Sequence, residues 1–152
     1  MSLSADLREF IELLNSRGVE YVVVGAYSLA FHARPRYTGD LGILVRPSPQ
    51  NAAKIVRILE EFGFKTVELA ESDFTKPEQV IQLGRPPNRI DLLTSLSGVA
   101  TDAAFRTKIT TDLDGLPIFI LSKDLLIQNK RAAGWPQDLA DLDALEETGD
   151  QS

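Results

Sequence analysis

The alternation of helix-like and strand-like segments constrains the fold of this chain more than any other feature of the sequence. Apolar residues recur at helical spacing from Leu7 to Leu14, and the β-branched run "EYVVVG" follows shortly afterwards. Similar changes of period recur along the chain, and two helix-like segments close it. This order predicts an α+β or α/β fold: a mixed β-sheet flanked by helices, with carboxyl-terminal helices.

Cap and turn residues set limits to the predicted elements. Ser4, Ser48 and Ser122 are predicted helix N-caps, and Pro49 takes a first helical position. Asp114–Gly115 is the predicted turn of a hairpin between two strand-like runs. Glycines are predicted to end three helices, at Gly18, Gly63 and Gly134.

Length and composition predict a single globular domain. The chain has 152 residues, of which 43% are hydrophobic and 25% charged, as in ordinary folded proteins. We expect one domain over residues 1–148 and a disordered tail over 149–152.

Charge and residue usage exclude several classes of function. The net charge of -6 favours no broad nucleic-acid-binding surface, although a small basic pocket for a phosphorylated ligand remains compatible with it. With no cysteine and one histidine, any chemistry must rest on carboxylates, lysines and arginines. We find no signal pattern, and the longest charge-free apolar run, Tyr21 to Ala33, is too short for a membrane-spanning helix. We therefore expect a cytoplasmic protein with no membrane partner.

Gly25 lies between a strand-like run and the short helix-like segment "AYSLAFHA". A glycine there permits a sharp turn and close approach of a ligand, and a helix N-terminus offers free N–H groups to an anion. Ser28 could add a hydroxyl. The alternative interpretation is a tight turn that binds nothing.

Asp40 and Asp91 each lie in or beside a hydrophobic strand-like run. Because side chains alternate along a strand, Ile90 and Leu92 would face the core while Asp91 faces the other way. If the two strands are neighbours, both carboxylates meet at one edge of the sheet, where carboxylates typically bind Mg²⁺. The alternative is that both are solvated residues on an exposed face.

These segments together resemble the signature of the nucleotidyltransferase superfamily, which has the DNA polymerase β-like fold. The resemblance rests on "VVVGAYSLAFHARPRYTGDLGILV", on "RIDLLTS" and on the closing segment "LSKDLLIQNKRAAGWPQDLADLDAL". Thirteen residues separate Ala26 from Asp40, as the family spacing requires, and Asp91 matches its third aspartate. These motifs are similar to those of small bacterial minimal nucleotidyltransferases and of AbiEii-type toxin domains, and the resemblance covers roughly Tyr21 to Leu145.

The resemblance implies a set of site residues. Asp40 and Asp91 would be catalytic and would hold Mg²⁺ or Mn²⁺. The residues implied for the nucleoside triphosphate are Gly25, Ala26, Ser28, Arg36 and Lys130. On residue chemistry alone, Arg36 would either clamp phosphates or cover the sheet edge, and Lys130 could equally belong to a solvated helix face.

Two positions depart from the family pattern. Ala26 replaces a glycine or serine, which leaves the backbone N–H groups in place. Gly42 stands where the family has its second metal-binding carboxylate, so we expect metal affinity and rate to fall.

Two functions follow from these expectations. The first is Mg²⁺-dependent transfer of a nucleoside monophosphate from a nucleoside triphosphate to a hydroxyl of a small molecule, a tRNA end or a partner protein. The second is a catalytically degenerate nucleotide- or protein-binding module with an antitoxin-like or regulatory role.

Overall fold

The computed structural model describes residues 4–33, 40–62, 69–85, 89–113 and 115–147. A short 3₁₀ helix spans Glu71–Phe74. The helices described are α1 (Ala5–Ser16), α2 (Gly25–His32), α3 (Pro49–Phe62), α4 (Thr101–Arg106), α5 (Lys123–Ala133) and α6 (Pro136–Glu147). The strands described are β1 (Tyr21–Val24), β2 (Asp40–Val45), β3 (Val80–Leu83), β4 (Arg89–Leu93), β5 (Ile109–Leu113) and β6 (Leu116–Ile120).

The strands form one mixed sheet in the order β3-β4-β2-β1-β6-β5. β2 pairs in parallel with β4 and β1 with β6, while β1 and β2, β3 and β4, and β5 and β6 are antiparallel pairs. The predicted fold class is confirmed, since helices flank a mixed sheet and α5 and α6 follow its last strand.

Both faces of the sheet are covered by helices. On one face, Val23, Leu41 and Ile43 are buried in a core that also contains the apolar residues of α1 and α3. On the other face, Val22 and Val24 belong to a second core with residues of α4, α5 and α6. Alternation along β1 and β2 therefore assigns each side chain to one of two cores.

The predicted helix limits agree with the hydrogen bonds at the helix ends. The Ser4, Ser48 and Ser122 hydroxyls accept the backbone N–H groups of Leu7, Asn51 and Leu125, respectively. Gly18 follows α1 and Gly134 follows α5, both with positive φ, as helix-ending glycines do. The hairpin between β5 and β6 is confirmed. Gly63 and Asp114 lie outside the described residues.

No helix in the described ranges has the length and apolar character needed to cross a membrane.

Candidate active site

A cleft of about 750 Å³ opens on the sheet face that carries the second core. Val24, Gly25, Gly42 and Asp91 form its sheet side. The remaining walls come from the segment before β3 and its first residue, the loop after β4, and Asn129 of α5. Its volume is in the range of small-molecule and cofactor sites.

The strand register places a row of residues across the floor of this cleft. Val24 of β1 is opposite Gly42 of β2, and Gly42 is opposite Asp91 of β4. Residues paired across strands point to the same side of a sheet, so Gly42 lies between Val24 and Asp91 on the cleft face. Asp40 lies two residues before Gly42 and shares its face.

Arg89 joins the two predicted catalytic carboxylates. Its Nε and one terminal nitrogen donate to the two oxygens of Asp91, each at 3.0 Å. The same terminal nitrogen lies 3.1 Å from an oxygen of Asp40. The register explains this contact, because Arg89 is opposite Asp40 and two residues before Asp91. We call Asp40, Arg89 and Asp91 the Arg89 bridge.

The bridge shows that the two carboxylates converge on one point. Their nearest oxygens contact a common nitrogen, so they are separated by no more than about 6 Å, whereas oxygens that share one Mg²⁺ lie about 3 to 4 Å apart. Two acidic oxygens of this kind fit a hard divalent cation, which prefers oxygen ligands and retains several waters.

The bridge also stabilises the charged form of Arg89. The hydrogen bond to Asp91 raises the pKa of the Arg89 guanidinium above its usual value, and the negative charges of Asp91 and Asp40 raise it further, against the opposing effect of burial. The guanidinium is therefore a permanent positive charge between the carboxylates.

A third acidic ligand is missing beside this pair. No group of three or more histidine, cysteine, aspartate or glutamate side chains among the described residues is arranged to hold a metal ion. A Cβ at Gly42 would lie 3.3 Å from Cγ2 of the buried Val24 side chain, so any larger residue there requires that side chain to shift by a few tenths of an ångström. The position thus has no carboxylate.

Asp112 does not take the place of the missing ligand. It lines a separate cavity of about 120 Å³ whose wall includes Val23 and Leu41. Those two residues belong to the other core, on the face away from Gly42.

The turn at Gly25 has the geometry that a glycine requires. Its φ is +69°, and a Cβ there would meet no heavy atom within 4 Å. The backbone therefore turns into α2 beside open space, as the sequence pattern predicted. Ala26 is the second residue of α2 and is half-buried.

Three residues predicted to bind the nucleotide have other placements or lie outside the description. Ser28 is fully buried and donates its hydroxyl to the Gly25 carbonyl at 2.8 Å, beneath the turn. Lys130 is buried between α5 and α6, with its Nζ 3.3 Å from Asp138 and 3.0 Å from Asp141. Arg36 lies outside the described residues. Among the described residues, the cleft is lined by neither Ser28 nor Lys130.

Solved structures with similar backbones identify the fold. A lincosamide antibiotic adenylyltransferase, LnuA, solved with lincomycin bound, superposes with a TM-score of 0.64 at 16% identity, over 97% of this chain and 98% of that one. The chain has the nucleotidyltransferase fold.

Two further structures with the nucleotidyltransferase fold agree with this assignment. A Thermotoga maritima protein assigned to the nucleotidyltransferases gives a TM-score of 0.58 at 19% identity, over 93% of this chain and 88% of its own. The antibiotic-resistance factor ANT(2'')-Ia gives 0.52 at 12% identity, over 93% and 80%. No family model and no curated protein matches the sequence.

Proposed function

We propose that this protein transfers a nucleoside monophosphate from a nucleoside triphosphate to a hydroxyl group of an acceptor. The observation that carries the proposal is the convergence of Asp40 and Asp91 on one nitrogen, next to a cleft that also contains the Gly25 turn. A triphosphate is strongly negative, so a site for it needs cations and backbone N–H groups. The two carboxylates would hold the cations, and the turn supplies the N–H groups.

Each part of the cleft has a role in this proposal. The open space beside Gly25 and the backbone N–H groups at the start of α2 receive the phosphates. Asp40 and Asp91 would hold Mg²⁺ or Mn²⁺, which would neutralise charge that develops on the phosphates. The loop after β4 and Asn129 form the opposite wall, against which the nucleoside or the acceptor lies.

The reaction breaks a phosphoanhydride bond of the triphosphate and forms a phosphate ester with the acceptor. The acceptor oxygen bonds to the α-phosphorus, and the bond from that phosphorus to the bridging oxygen of the pyrophosphate breaks. Pyrophosphate leaves with the electron pair, and the hydroxyl proton passes to water. The protein contributes position and electrostatic stabilisation, which are the main requirements of phosphoryl transfer.

As the acceptor class we propose a small molecule that bears a hydroxyl group, such as an antibiotic. LnuA acts on lincosamide antibiotics, and ANT(2'')-Ia is an antibiotic-resistance factor. We extend this to the present chain as part of the proposal, with the reaction taking place in the cytoplasm, where nucleoside triphosphates are available.

Pyrophosphate release tests the proposal. The protein is incubated with each labelled nucleoside triphosphate, Mg²⁺ or Mn²⁺ and panels of hydroxyl-bearing acceptors, including lincosamides and other antibiotics. We expect release that depends on both metal and acceptor and that is lost in Asp40→Ala. Asp112→Ala is the matched control, since that carboxylate lines the other cavity. Equal release by Asp40→Ala and the native protein would contradict the assignment.

A degenerate binding module is the second candidate, and Gly42 is the observation that favours it. With Gly42 in place of the family's second metal-binding carboxylate, and Arg89 paired with both Asp40 and Asp91, the cleft could bind nucleotide or a partner protein without turnover, as in an antitoxin-like role. Inactivity in the native protein together with activity in Gly42→Asp would select this alternative.

A further inference from the structure

The Arg89 guanidinium contacts both of the carboxylates that a shared metal ion would need. One of its terminal nitrogens contacts an oxygen of Asp40 at 3.1 Å and an oxygen of Asp91 at 3.0 Å. A metal ion bonded to both oxygens would lie about 2.1 Å from each, in the space between them. The nitrogen and the ion therefore cannot both be there.

Electrostatics makes the exclusion stronger. A divalent ion and a guanidinium repel each other at such distances, and each carboxylate that rotates toward the ion gives up its hydrogen bonds to Arg89. Asp91 is the stronger partner, since it accepts two bonds from Arg89 and its side chain is only 18% exposed.

We propose that Arg89 is an intramolecular competitor of the divalent ion for Asp40 and Asp91, so that metal binds only when the guanidinium has moved away. This inference rests on the proposed metal-binding role of the two aspartates. It makes Arg89 a positioning residue that sets the metal affinity of the site.

The triphosphate is the ligand that can shift this competition. Arginine binds phosphate oxygens through the same planar set of donors that it presents to a carboxylate. A triphosphate in the cleft offers Arg89 an alternative anion and leaves the two aspartates to the metal ion. Nucleotide should therefore increase metal affinity in the native protein, and this increase should shrink when Arg89 is replaced.

Binding of Mn²⁺ alone, followed by electron paramagnetic resonance of the free ion, tests the competition without any turnover. In Arg89→Met we expect binding roughly tenfold tighter than in the native protein, since charged hydrogen bonds no longer oppose the metal. Arg89→Lys keeps the charge but loses the two-pronged contact, so we expect an intermediate affinity.

Arg46→Met is the matched control. Arg46 also contacts two carboxylates, those of Glu20 and Asp102, and its side chain has the same 29% exposure as Arg89. This control should leave Mn²⁺ affinity at the Asp40–Asp91 pair unchanged. Adding Asp91→Asn to Arg89→Met should abolish the gained affinity. Circular dichroism checks that each variant is folded, and Arg89→Lys carries the test if Arg89→Met is not.

The outcomes are distinct for the two proposals. Tighter Mn²⁺ binding in Arg89→Met supports the competition even if no variant turns over nucleotide, in which case the proposed function fails alone. Equal or weaker binding in Arg89→Met overturns the competition, even if the native protein is an active enzyme. Absence of Mn²⁺ binding in every variant overturns it as well.

Discussion

Two arginines, one beside the start of β2 and one just beyond its end, make similar ion pairs in different surroundings. Arg89 joins Asp40 and Asp91 at the start of β2, and Arg46, just beyond its end, joins Glu20 and Asp102. We call Glu20, Arg46 and Asp102 the Arg46 bridge. Both arginine side chains are 29% exposed, so the arginines themselves do not distinguish the two bridges.

The carboxylates and the neighbouring groups do distinguish them. In the Arg46 bridge the acidic side chains are 50% and 81% exposed, and the guanidinium stacks 4.5 Å from the centre of the Phe105 ring. In the Arg89 bridge they are 38% and 18% exposed, and Asp91 lines the large cleft. The Arg46 bridge fastens α4 to the sheet, whereas the Arg89 bridge holds two acids together beside a cavity.

The role of an ion-paired arginine therefore depends on the groups that lie next to it. An arginine stacked on an aromatic ring and paired with exposed carboxylates contributes to packing. In our proposal, an arginine between two acids, one of which lines a cleft, is exchangeable for a metal ion.

Removing a carboxylate should have very different effects in the two bridges. Asp91→Asn should lower acceptor-dependent pyrophosphate release by about 100-fold or more, because the residue binds the metal in our proposal. Asp102→Asn should change kcat/KM by less than about twofold, since surface ion pairs contribute little. Similar losses in the two variants would remove the functional distinction between the bridges.

A carboxylate introduced at Gly42 should increase the affinity of Asp40 and Asp91 for a metal ion relative to their affinity for Arg89. Gly42→Asp should tighten Mn²⁺ binding by about tenfold, because affinity increases with the number of charged ligands. Gly42→Asn has the same size without the charge and serves as the control for crowding against Val24, whose Cγ2 would lie 3.3 Å from a Cβ at this position. Equal affinities of the two variants would show that charge at this position is irrelevant.

Stability should separate the two arginines through its dependence on Mg²⁺. Arg46→Met should reduce the free energy of unfolding by about 1 kcal/mol with or without Mg²⁺, because ion pairs and a ring contact are lost. Arg89→Met should also reduce the free energy of unfolding when Mg²⁺ is absent. Mg²⁺ should reverse that reduction, since an ion that binds only the folded state stabilises it. Urea unfolding at two metal concentrations measures this, and loss of the Mg²⁺ response would argue against our view of Arg89.

The smallest effect should come from pH, through a residue outside both bridges. Burial lowers the pKa of His32, an effect that its Leu121 carbonyl contact only partly opposes. The unfolded chain therefore takes up a proton first as pH falls below about 6.5, and the free energy of unfolding should decrease from there downward.

His32→Gln retains a donor for the Leu121 carbonyl but does not titrate, so its unfolding free energy should lack this contribution. The same decrease should persist in Arg46→Met, because the guanidinium that this substitution removes does not titrate over this pH range. An unaltered pH profile in His32→Gln would assign the dependence to other groups.

The local features of the fold were predictable because they depend on near neighbours in the chain. The Ser4, Ser48 and Ser122 caps are decided by residues three positions away. The burial of Ile90 and Leu92 opposite Asp91 follows from strand alternation alone. Each of these features has a local physical cause, so its prediction did not require the order of the strands in the sheet.

The site was predictable only up to the pairing of β2 with β4. Alternation put Asp91 on the face away from Ile90 but could not say that Asp40 would be its neighbour. Arg89 was missed, although its spacing of two from Asp91 places both on one face of a strand. Its contact with Asp40 depends on the register between two strands that are distant in sequence.

Buried polar contacts between distant elements were also beyond the sequence. Asn51 reads as an ordinary residue of α3, yet its buried side chain accepts the Glu20 N–H and donates to the Glu20 and Arg46 carbonyls. The sequence is compatible with Lys130 as a surface lysine or as a phosphate ligand, whereas the structure places it in ion pairs with two carboxylates of α6.

Lys130 joins the last helix to the helix before it through two buried ion pairs. Its ammonium is sequestered from water by carboxylates that α6 alone supplies, Asp138 and Asp141, with Gln137 donating to the latter at 3.0 Å. A chain cut after Gly134 would uncover this cation together with the apolar residues beneath it. Engineered fusions or deletions at the carboxyl-terminal end should therefore begin beyond α6.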